Sequence, residues 1–272
     1  MAFCCLDLFL FLGYCFGLSC IRMSKVSLTI IQYPTRYSVF ALFAMAFHHI
    51  PFWFNKRIRF YKLMGTGKNG TFDKHPDWQQ WSILTVLNGD VDLKPFDDSP
   101  NDDLFIRTYY GSFISGWFRF FGCSTSTLLM EAIESHGYWD KKRVFGELPP
   151  KSDYEGPIAV ITRATIRLKK LKYFWENVAP VAAHMNTAEG FRFSIGVGEV
   201  PWIKQATFSI WDSKAAMKAF AYGMKEHAEV IQKTRKQDWY SEDMFTRFKI
   251  TQVLGTLKMK GEVDTIVVPS ST

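Results

Sequence analysis

The feature of this sequence that most constrains its fold is an internal repeat. The segment FYKLMGTG, which begins at residue 60, is followed 131 residues later by the related segment FRFSIGVG. At the same offset, the strand-like segment 27–33 falls on 158–164, and the amphipathic stretch 38–50 falls on 169–181. A period of this length means that two copies of one unit must pack together to bury a shared core.

Each copy continues beyond this shared part, and the second copy shows the pattern most clearly. Residues 205–211 alternate apolar and polar side chains, which is typical of a half-buried strand. An amphipathic helix is predicted over residues 213–237, with Ser213 as a typical N-cap, and a closing strand follows. The sequence therefore predicts an α+β fold in which two ferredoxin-like βαββαβ repeats, residues 23–150 and 156–262, form a barrel with an apolar interior.

The first copy is less regular than the second. Residues 88–103 contain six aspartates but lack the ligand spacing of a calcium loop, so we interpret them as a solvated insertion. Residues 111–122 are apolar and have no clear period. The elements of the first copy are therefore assigned mainly by analogy with the second.

Three glycines satisfy a nucleotide-binding pattern without its context. Gly65, Gly67 and Gly70 form G-x-G-x-x-G after a predicted strand, but no amphipathic helix follows that could hold a pyrophosphate. Because the repeat contains two of these glycines again, we interpret them as turn residues between strands. The six histidines form no H-x-x-x-H or H-E-x-x-H pair, which argues against zinc-dependent hydrolysis.

The N-terminal segment differs from the rest of the chain. Residues 2–21 form an apolar run of about the length that spans a bilayer, interrupted by Asp7. A secretory signal is disfavoured because a positively charged start and a clean cleavage site are missing. Two interpretations of residues 1–22 stay open. One is a membrane anchor. The other is an extension upstream of a true start at Met23, and we favour it because a strand-like run begins at Met23.

The cysteines and the charges bear on the location and partners of the protein. Four of the five cysteines lie in the N-terminal run, so the body has no disulfide framework, which suits a reducing, cytoplasmic compartment. Residues 23–155 carry 15 Lys or Arg and 14 Asp or Glu, whereas residues 156–260 carry 17 and 9. A basic second half suits an anionic membrane, an acidic protein partner or a solvated face. No nucleic-acid motif is present, so no nucleic-acid partner is expected.

The last predicted helix carries a histidine on its apolar face. His227 lies seven residues after Phe220 and three after Met224, so it faces the sheet or whatever fills the barrel. From spacing alone, a hydrogen-bonded core residue and a ligand-binding residue both fit. Arg163 and Arg167 share one face of a strand, either inward toward anionic partners or outward in the basic face. The other polar residues considered are Glu199 and Tyr222 near the predicted cavity and His184, which is expected at the surface.

Several segments together resemble one known protein family. The longest are GPIAVITRATIR at 156–167, FRFSIGVGEVPWIKQATFSIWDS at 191–213, AMKAFAYGMKEHAEVI at 216–231 and WYSEDMFTRF at 239–248. In the first half, FYKLMGTG and HGYWD at 136–140 match the same pattern. These segments resemble the spheroidene monooxygenase family of carotenoid biosynthesis, over about residues 23–260.

The resemblance implies a haem-containing enzyme that oxidises an acyclic carotenoid such as spheroidene at C-2, first to a hydroxyl and then to a ketone. The implied co-substrate is O₂, and the implied electron donor is an acidic ferredoxin, which would suit the basic second half. The implied fold is the dimeric α+β barrel, in agreement with the repeat. Because a carotenoid is insoluble in water, a peripheral contact with a membrane is expected as well.

The same resemblance implies roles for particular residues. His227 is the leading candidate for the ligand of the haem iron, because related haem-binding α+β barrels use a helix histidine of the second repeat. Cys123 is a weaker candidate, since its surroundings offer no obvious hydrogen-bond donors to a thiolate. The candidates for binding the haem propionates are Arg163, Arg167 and Arg192. The residues expected to line the substrate slot are Phe191, Phe193, Phe208, Trp211, Phe220 and Tyr222.

Two functions from other classes fit the same sequence. The 25 Phe, 11 Tyr and 9 Trp residues would equally suit a non-catalytic protein that binds an apolar ligand or haem. A cofactor-free oxygenase of the same fold is also compatible, because one fold hosts many chemistries. The absorbance spectrum of the purified protein discriminates among these functions, since only a haem protein shows a Soret band.

Overall fold

The computed structural model of the chain describes residues 24–68, 75–89, 102–223, 234 and 237–260. Eight strands in this part of the chain form a closed antiparallel barrel. The strands are β1 (Lys25–Gln32), β2 (Ile58–Gly67), β3 (Pro76–Leu87), β4 (Ser124–Gly137), β5 (Ile158–Ile166), β6 (Phe191–Val200), β7 (Lys204–Trp211) and β8 (Tyr240–Gly255). The helices are α1 (Ser38–Phe47), α2 (His49–Phe54), α3 (Asp103–Phe105), α4 (Ser112–Phe120), α5 (Leu171–Met185) and α6 (Lys214–Gly223), with a π-helix at Ile106–Tyr110.

The chain order strand, helix, strand, strand, helix, strand occurs twice, as the sequence predicts. The strands of the first half lie side by side as β4-β1-β3-β2, and those of the second half lie as β8-β5-β7-β6. The pairs β2–β6 and β4–β8 close the barrel. The position of the closing strand of the first half, β4, is not located from the sequence, because its middle is buried on both faces and shows no alternation. The N-terminal segment 1–22, most of the aspartate-rich insertion and His227 lie outside the described residues.

The two halves meet at a seam between β2 and β6. Gly65 pairs with Gly198 there, and Thr66 pairs with Val197. The interpretation of the repeated glycines as turn residues is therefore wrong, since they lie within strands. Glycine also occurs in strands where another group approaches closely. A Cβ atom on Gly198 would lie 2.8 Å from Nε2 of Gln205, so this residue lets the neighbouring strand pack close.

Apolar side chains fill the interior of the barrel, as the sequence predicts. They come from alternate positions of the strands, for example Val26, Leu28 and Ile30 on β1. Two large rings, Phe208 and Phe248, are fully buried among them. Because these side chains pack against one another as a core, we look for ligand sites on the outer faces of the sheet.

The helices of the first half cover the outer face of its strands. Helices α1 and α2 bury Ala41, Ala44 and Phe52 in a second apolar core. The same core contains Ile114 and Phe118 of α4. Both helical segments therefore lie outside the barrel, on one side of the molecule.

Helix α6 covers the outer face of the second half. Its predicted N-cap is confirmed, because Oγ of Ser213 accepts a hydrogen bond of 3.1 Å from the N–H of Ala216. The buried residues Met217 and Phe220 pack against Trp211. The apolar face of this helix therefore meets the sheet from outside and does not point into the barrel.

Candidate functional site

Arg163 lies at one mouth of the barrel. It follows Ala159 and Ile161 on the inward face of β5, and its side chain is 1% exposed. A buried guanidinium is costly unless carboxylates surround it. The structure supplies three of them: Arg163 forms ion pairs with Glu242, with Glu199 at 3.4 Å and with Asp140 at 3.5 Å.

Two lysines and a tryptophan complete the arrangement. Lys62 of β2 forms ion pairs with Asp140 and, at 2.5 Å, with Glu199. Nζ of Lys204 lies 2.7 Å from Asp140, and the indole N–H of Trp139 donates a hydrogen bond of 2.8 Å to Glu199. We call this set the barrel-mouth cluster: Lys62, Trp139, Asp140, Arg163, Glu199, Lys204 and Glu242. Its three cations and three anions balance, so it carries no spare charge.

Hydrogen bonds keep Asp140 and Glu242 of the barrel-mouth cluster ionised. Burial raises the pKa of Asp140, but hydrogen bonds from Lys204 and Lys62 outweigh it and lower the pKa to about 2. Burial also raises the pKa of Glu242, but two backbone N–H groups and the buried arginine lower it below its usual value. These N–H groups belong to Asp140 and Lys141, which both have positive φ and lie 2.9 and 2.7 Å from the carboxylate.

Five of the six segments that carry the family resemblance meet at the barrel-mouth cluster. They supply Lys62 from FYKLMGTG, Trp139 and Asp140 from HGYWD, Arg163 from GPIAVITRATIR, Glu199 and Lys204 from the segment at 191–213, and Glu242 from WYSEDMFTRF. Because these residues come from both halves of the barrel, we assign the cluster a role in holding the halves together.

The three arginines predicted to bind haem propionates do not converge. Arg163 is enclosed by the carboxylates of the barrel-mouth cluster. Arg167 is about half exposed and pairs with Asp238 at 3.0 Å. Arg192 lies toward the opposite end of the neighbouring strands, with its Nε atom 2.6 Å from Asp212. Each arginine has its own carboxylate partner, which a propionate would have to displace.

The rings predicted to line one substrate slot lie in two separate places. Phe208 belongs to the barrel interior, and Phe193 packs against the same core. Phe191, Trp211 and Phe220 pack together outside the sheet, where the ring of Trp211 lies 5.5 Å from that of Phe191 and 5.2 Å from that of Phe220. The structure therefore does not form a single slot from these residues.

Strand geometry explains the separation. Phe208 and Trp211 are three positions apart on β7, so they point to opposite faces of the sheet. A register shift between Phe191 and Phe193 separates this pair as well, although the two residues are only two positions apart. Tyr222, at the end of α6, is 67% exposed and contributes to neither group.

The outer face of the second half contains a floor of small residues. Neighbouring outward positions hold Thr162 of β5, Ser194 and Gly196 of β6, and Thr207 and Ser209 of β7, which we call the small-residue floor. Thr162 is exposed in the middle of its strand. Oγ1 of Thr207 is buried and has no hydrogen-bond partner among the described residues. Since an unpartnered buried hydroxyl is unfavourable, a bound group or a residue outside the described ranges is expected to complete this floor.

In the first half, the protein itself fills the corresponding face. Tyr110, supplied by the π-helix, is buried, and its hydroxyl lies 2.9 Å from Oγ of Ser27 and 2.7 Å from Oγ1 of Thr29. Asp102 accepts a hydrogen bond of 3.1 Å from Thr127, which in turn lies 2.8 Å from Thr29. These outward hydroxyls are satisfied by protein groups, so the small-residue floor of the second half is the stronger candidate for a ligand site.

A buried histidine is the second candidate feature. His48 is 2% exposed and, with Tyr33 and Trp81, lines a crevice between α1 and the sheet. Its Nε2 atom has no hydrogen-bond partner in the part of the chain that the structure describes. Burial, and to a lesser degree the neighbouring His49, lowers the pKa of His48 to about 4, so the ring is uncharged at neutral pH. The sequence analysis above does not single out this residue.

The other predicted ligands are limited by what the structure describes. His227 falls within residues 224–233, which lie outside the described ranges. Burial raises the pKa of Cys123 to about 12, so its sulfur is a thiol at neutral pH and a poor iron ligand. His184 is exposed, as predicted. Within the described ranges, no group of three or more His, Cys, Asp or Glu residues could hold a metal ion.

The described residues fit haem in one respect and not in another. The small-residue floor suits a flat group, because its side chains are short, although only Thr162 among them is exposed and Ser194, Thr207 and Ser209 are buried. Each predicted arginine already pairs with a carboxylate, although Nη2 of the buried Arg163 makes no hydrogen bond within the described ranges. We therefore retain the floor as the candidate cofactor site and assign no propionate partner.

A comparison of two arginines tests the role of the barrel-mouth cluster. Arg163→Met is expected to lower the free energy of unfolding by about 1–3 kcal/mol, because it leaves three partly buried carboxylates without the cation that they share. Arg167→Met, which removes a half-exposed ion pair, is expected to cost at most about 1 kcal/mol. Urea denaturation of both variants measures the difference. Equal losses would contradict the assignment.

The pKa of His48 predicts a loss of stability in acid. Because burial lowers the pKa of the His48 ring in the folded state from an ordinary value of 6.5 to about 4, the stabilisation is complete above pH 6.5 and is lost as the pH falls toward 4. Relative to His48→Gln, the wild-type protein should lose about 3 kcal/mol of unfolding free energy over this interval. Urea denaturation across it measures the slopes, to which carboxylates contribute equally in both proteins. Parallel slopes would show that His48 titrates normally.

Curated relatives are found at the sequence level. No protein-family model matches the chain. The spheroidene monooxygenase of Cereibacter sphaeroides is 31% identical over 220 residues, which cover 80% of this chain and 62% of that protein. The spheroidene monooxygenase of Rhodobacter capsulatus is 30% identical over 74% of this chain and 77% of its own length. The spheroidene monooxygenase of Rubrivivax gelatinosus is 32% identical over 74% of this chain and 72% of its own length.

Solved structures share the fold at low sequence identity. The aldoxime dehydratase OxdRE, solved in complex with butyraldoxime, has a TM-score of 0.51 and 12% identity, over 85% of this chain and 80% of that chain. A second aldoxime dehydratase structure has a TM-score of 0.51 and 9% identity, over 85% of this chain and 82% of that chain. At these identities, the likeness concerns the fold alone.

The sequence relatives carry more weight than the structural ones. Three proteins of one name are 30–32% identical to this chain, and two of them are covered over more than two thirds of their length, although the chain spans 62% of the Cereibacter sphaeroides protein. The chain belongs to the spheroidene monooxygenase family.

Proposed function

We propose that the protein is a monooxygenase that oxidises an acyclic carotenoid of the spheroidene type at C-2, to an alcohol and then to a ketone. The observation that carries this proposal is the 30–32% identity to three spheroidene monooxygenases. In each cycle, one atom of O₂ is inserted into a C–H bond and the other leaves as water, which requires two electrons and two protons. A second insertion at the same carbon, followed by loss of water, gives the ketone.

Haem is the proposed cofactor, with His227 as the ligand of its iron. When bound, haem supplies the activation of O₂ that this insertion needs. The chain's own part is to bind and orient the polyene and to exclude water. The small-residue floor offers a flat surface beside the rings of Phe191, Trp211 and Phe220, which form an apolar wall at one end of it. An apolar wall of this kind suits one end of a long hydrocarbon.

The proposed electron donor is an acidic ferredoxin-type protein. Residues 156–260 carry 17 Lys or Arg against 9 Asp or Glu. Some of these cations, such as Arg163 and Lys214, are buried and form ion pairs inside the protein. Others, such as Lys169, Lys172 and Lys218, are exposed. An exposed basic surface favours encounter with an acidic partner.

The proposal extends to the fold family and the location of the protein. We take the two halves as ferredoxin-like repeats of a dimeric α+β barrel, supported by the strand order that both halves share. The enzyme is proposed to work in the cytoplasm at the surface of a membrane, because its carotenoid substrate resides in lipid.

The direct test is carotenoid conversion by the full chain. Expressed in cells that accumulate spheroidene, it should yield the C-2 alcohol and ketone, and both should carry the label when the cells are supplied with ¹⁸O₂. Chromatography with mass spectrometry detects these products. A folded protein that binds haem but forms no product would favour the non-catalytic binding protein instead. Turnover by a colourless protein would favour the cofactor-free oxygenase.

The spectrum tests the iron ligand independently of turnover. His227→Ala should abolish or greatly shift the Soret band, because the iron loses its protein ligand. The matched control is His184→Ala, which changes an exposed histidine and should leave the band unchanged. If His227→Ala retains a normal spectrum, His227 is not the ligand.

A further inference from the structure

Large aromatic side chains are exposed on one side of the first half. Trp53 and Phe54 of α2 are 81% and 80% exposed, and Phe120 of α4 is 79% exposed. Helix α1 adds three phenylalanines that are about half exposed. We call these residues the aromatic surface: Phe40, Phe43, Phe47, Trp53, Phe54 and Phe120. Contiguous exposed apolar areas on a protein generally mark a site of interaction.

Ring contacts show that α1 and α4 form a continuous part of this surface. The ring centroid of Phe43 lies 6.2 Å from that of Phe40 and 6.3 Å from that of Phe47. Phe47 is 6.3 Å from Trp117 of α4, and Phe40 is 4.7 Å from Phe121 at the end of that helix. The two helices therefore present their rings side by side.

The opposite face of the same segment is fixed to the barrel. Thr35–Phe54 is long and apolar enough to cross a membrane, with a mean hydropathy of 1.3. However, Ala41, Ala44, His48 and Phe52 are buried against the sheet or in the adjoining crevice. A segment held to the protein along one face cannot be surrounded by lipid. Its exposed face is free to lie flat on a surface, as the apolar face of an interfacial helix does.

The second half shows that the fold does not require aromatic residues here. Helix α5 occupies the position in the second half that α1 occupies in the first. Its exposed positions over residues 171–177 are Lys172, Tyr173 and Glu176. The same element of the repeat can thus present charged side chains around a single exposed ring, whereas α1 presents three phenylalanines, and we infer that the rings of α1 and α2 face a partner.

The charges around the aromatic surface favour an anionic partner. Residues 24–72 contain seven Lys or Arg and no Asp or Glu. Arg36 precedes α1, and Lys56 and Arg57 follow α2, and all three are exposed. Aromatic side chains bordered by cations are typical of helices that bind the headgroup region of anionic membranes.

We propose that the aromatic surface docks on the interface of an anionic lipid bilayer, with α1 and α2 lying in the plane of the membrane. The choice of a bilayer as partner rests in part on the proposed function, because a carotenoid must be collected from lipid. This places membrane contact on the first half of the barrel and leaves the basic second half free for the electron donor.

Quenching by brominated lipids tests this contact in the full chain. Vesicles of brominated phosphatidylcholine and phosphatidylglycerol should quench the tryptophan emission, and Trp53→Phe should remove a distinct share of that quenching. The matched control is Trp202→Phe, which changes a 54% exposed tryptophan in the β6–β7 turn of the second half and should leave the quenching intact. Residues 1–22 contain no tryptophan, so insertion of that run cannot mimic the signal.

A second pair of variants tests the affinity for vesicles. Phe54→Ser with Phe120→Ser should weaken binding about tenfold or more, because two exposed rings no longer leave water. Leu168→Ser with Tyr173→Ser changes two exposed apolar residues at the equivalent helix of the second half and should leave binding unchanged. Co-sedimentation with vesicles measures both.

Several results would overturn the proposal. They are the absence of Trp53-dependent quenching in vesicle-bound protein, equal losses in both pairs of variants, and shielding of Trp53 from aqueous iodide before vesicles are added. A dimer that dissociates on Phe54→Ser with Phe120→Ser would instead assign the surface to a second copy of this chain. The vesicles contain no carotenoid, and turnover is measured in detergent, so failure of docking is distinguishable from failure of the proposed function.

Discussion

The ion pairs around Arg163 bring distant parts of the chain together at one end of the barrel. Its three carboxylate partners come from the turn after β4, from β6 and from β8, and two lysines from β2 and β7 complete the charge balance. A guanidinium that is 1% exposed tolerates no missing partner, because an unpaired buried charge is far more costly than an exposed one. The position of each of these strands at the barrel mouth is therefore tied to the others.

The two halves of the barrel differ in the groups that cover the outer faces of their strands. In the first half, the π-helix places Tyr110 over the sheet, and its hydroxyl satisfies Ser27 and Thr29. In the second half, the small-residue floor leaves Oγ1 of Thr207 without a partner among the described residues. The outer layers differ in the same way, with exposed rings on α1 and charged residues on α5. The outward hydroxyls of one half are satisfied by its own side chains, whereas the described part of the other half leaves that of Thr207 unsatisfied.

The order of the elements could be predicted from the sequence, but the facing of individual side chains could not. The repeat predicts the order strand, helix, strand in both halves, because two related segments at a fixed offset in the chain are expected to fold alike. The register shift that separates Phe191 from Phe193 leaves no mark in composition, whereas the opposite facing of Phe208 and Trp211 follows from their odd spacing in the sequence. The partners of Arg163 lie 23 to 79 residues away, and spacing carries no information about such contacts. His48 did have a signal, since it follows Ala41 and Ala44 at helical spacing.

Closure of the barrel has a consequence at high protein concentration, where exposed strand edges meet and pair more often. In the described part of this chain, every strand has a neighbour on both sides, from β1 between β3 and β4 around to the seam of β2 and β6. The seam of β2 and β6 is short, with two residue pairs, and elsewhere the described backbone offers little template for sheet growth between molecules. Crowding can therefore bring such barrels into contact with few strand edges available for the strand addition that leads to fibrils.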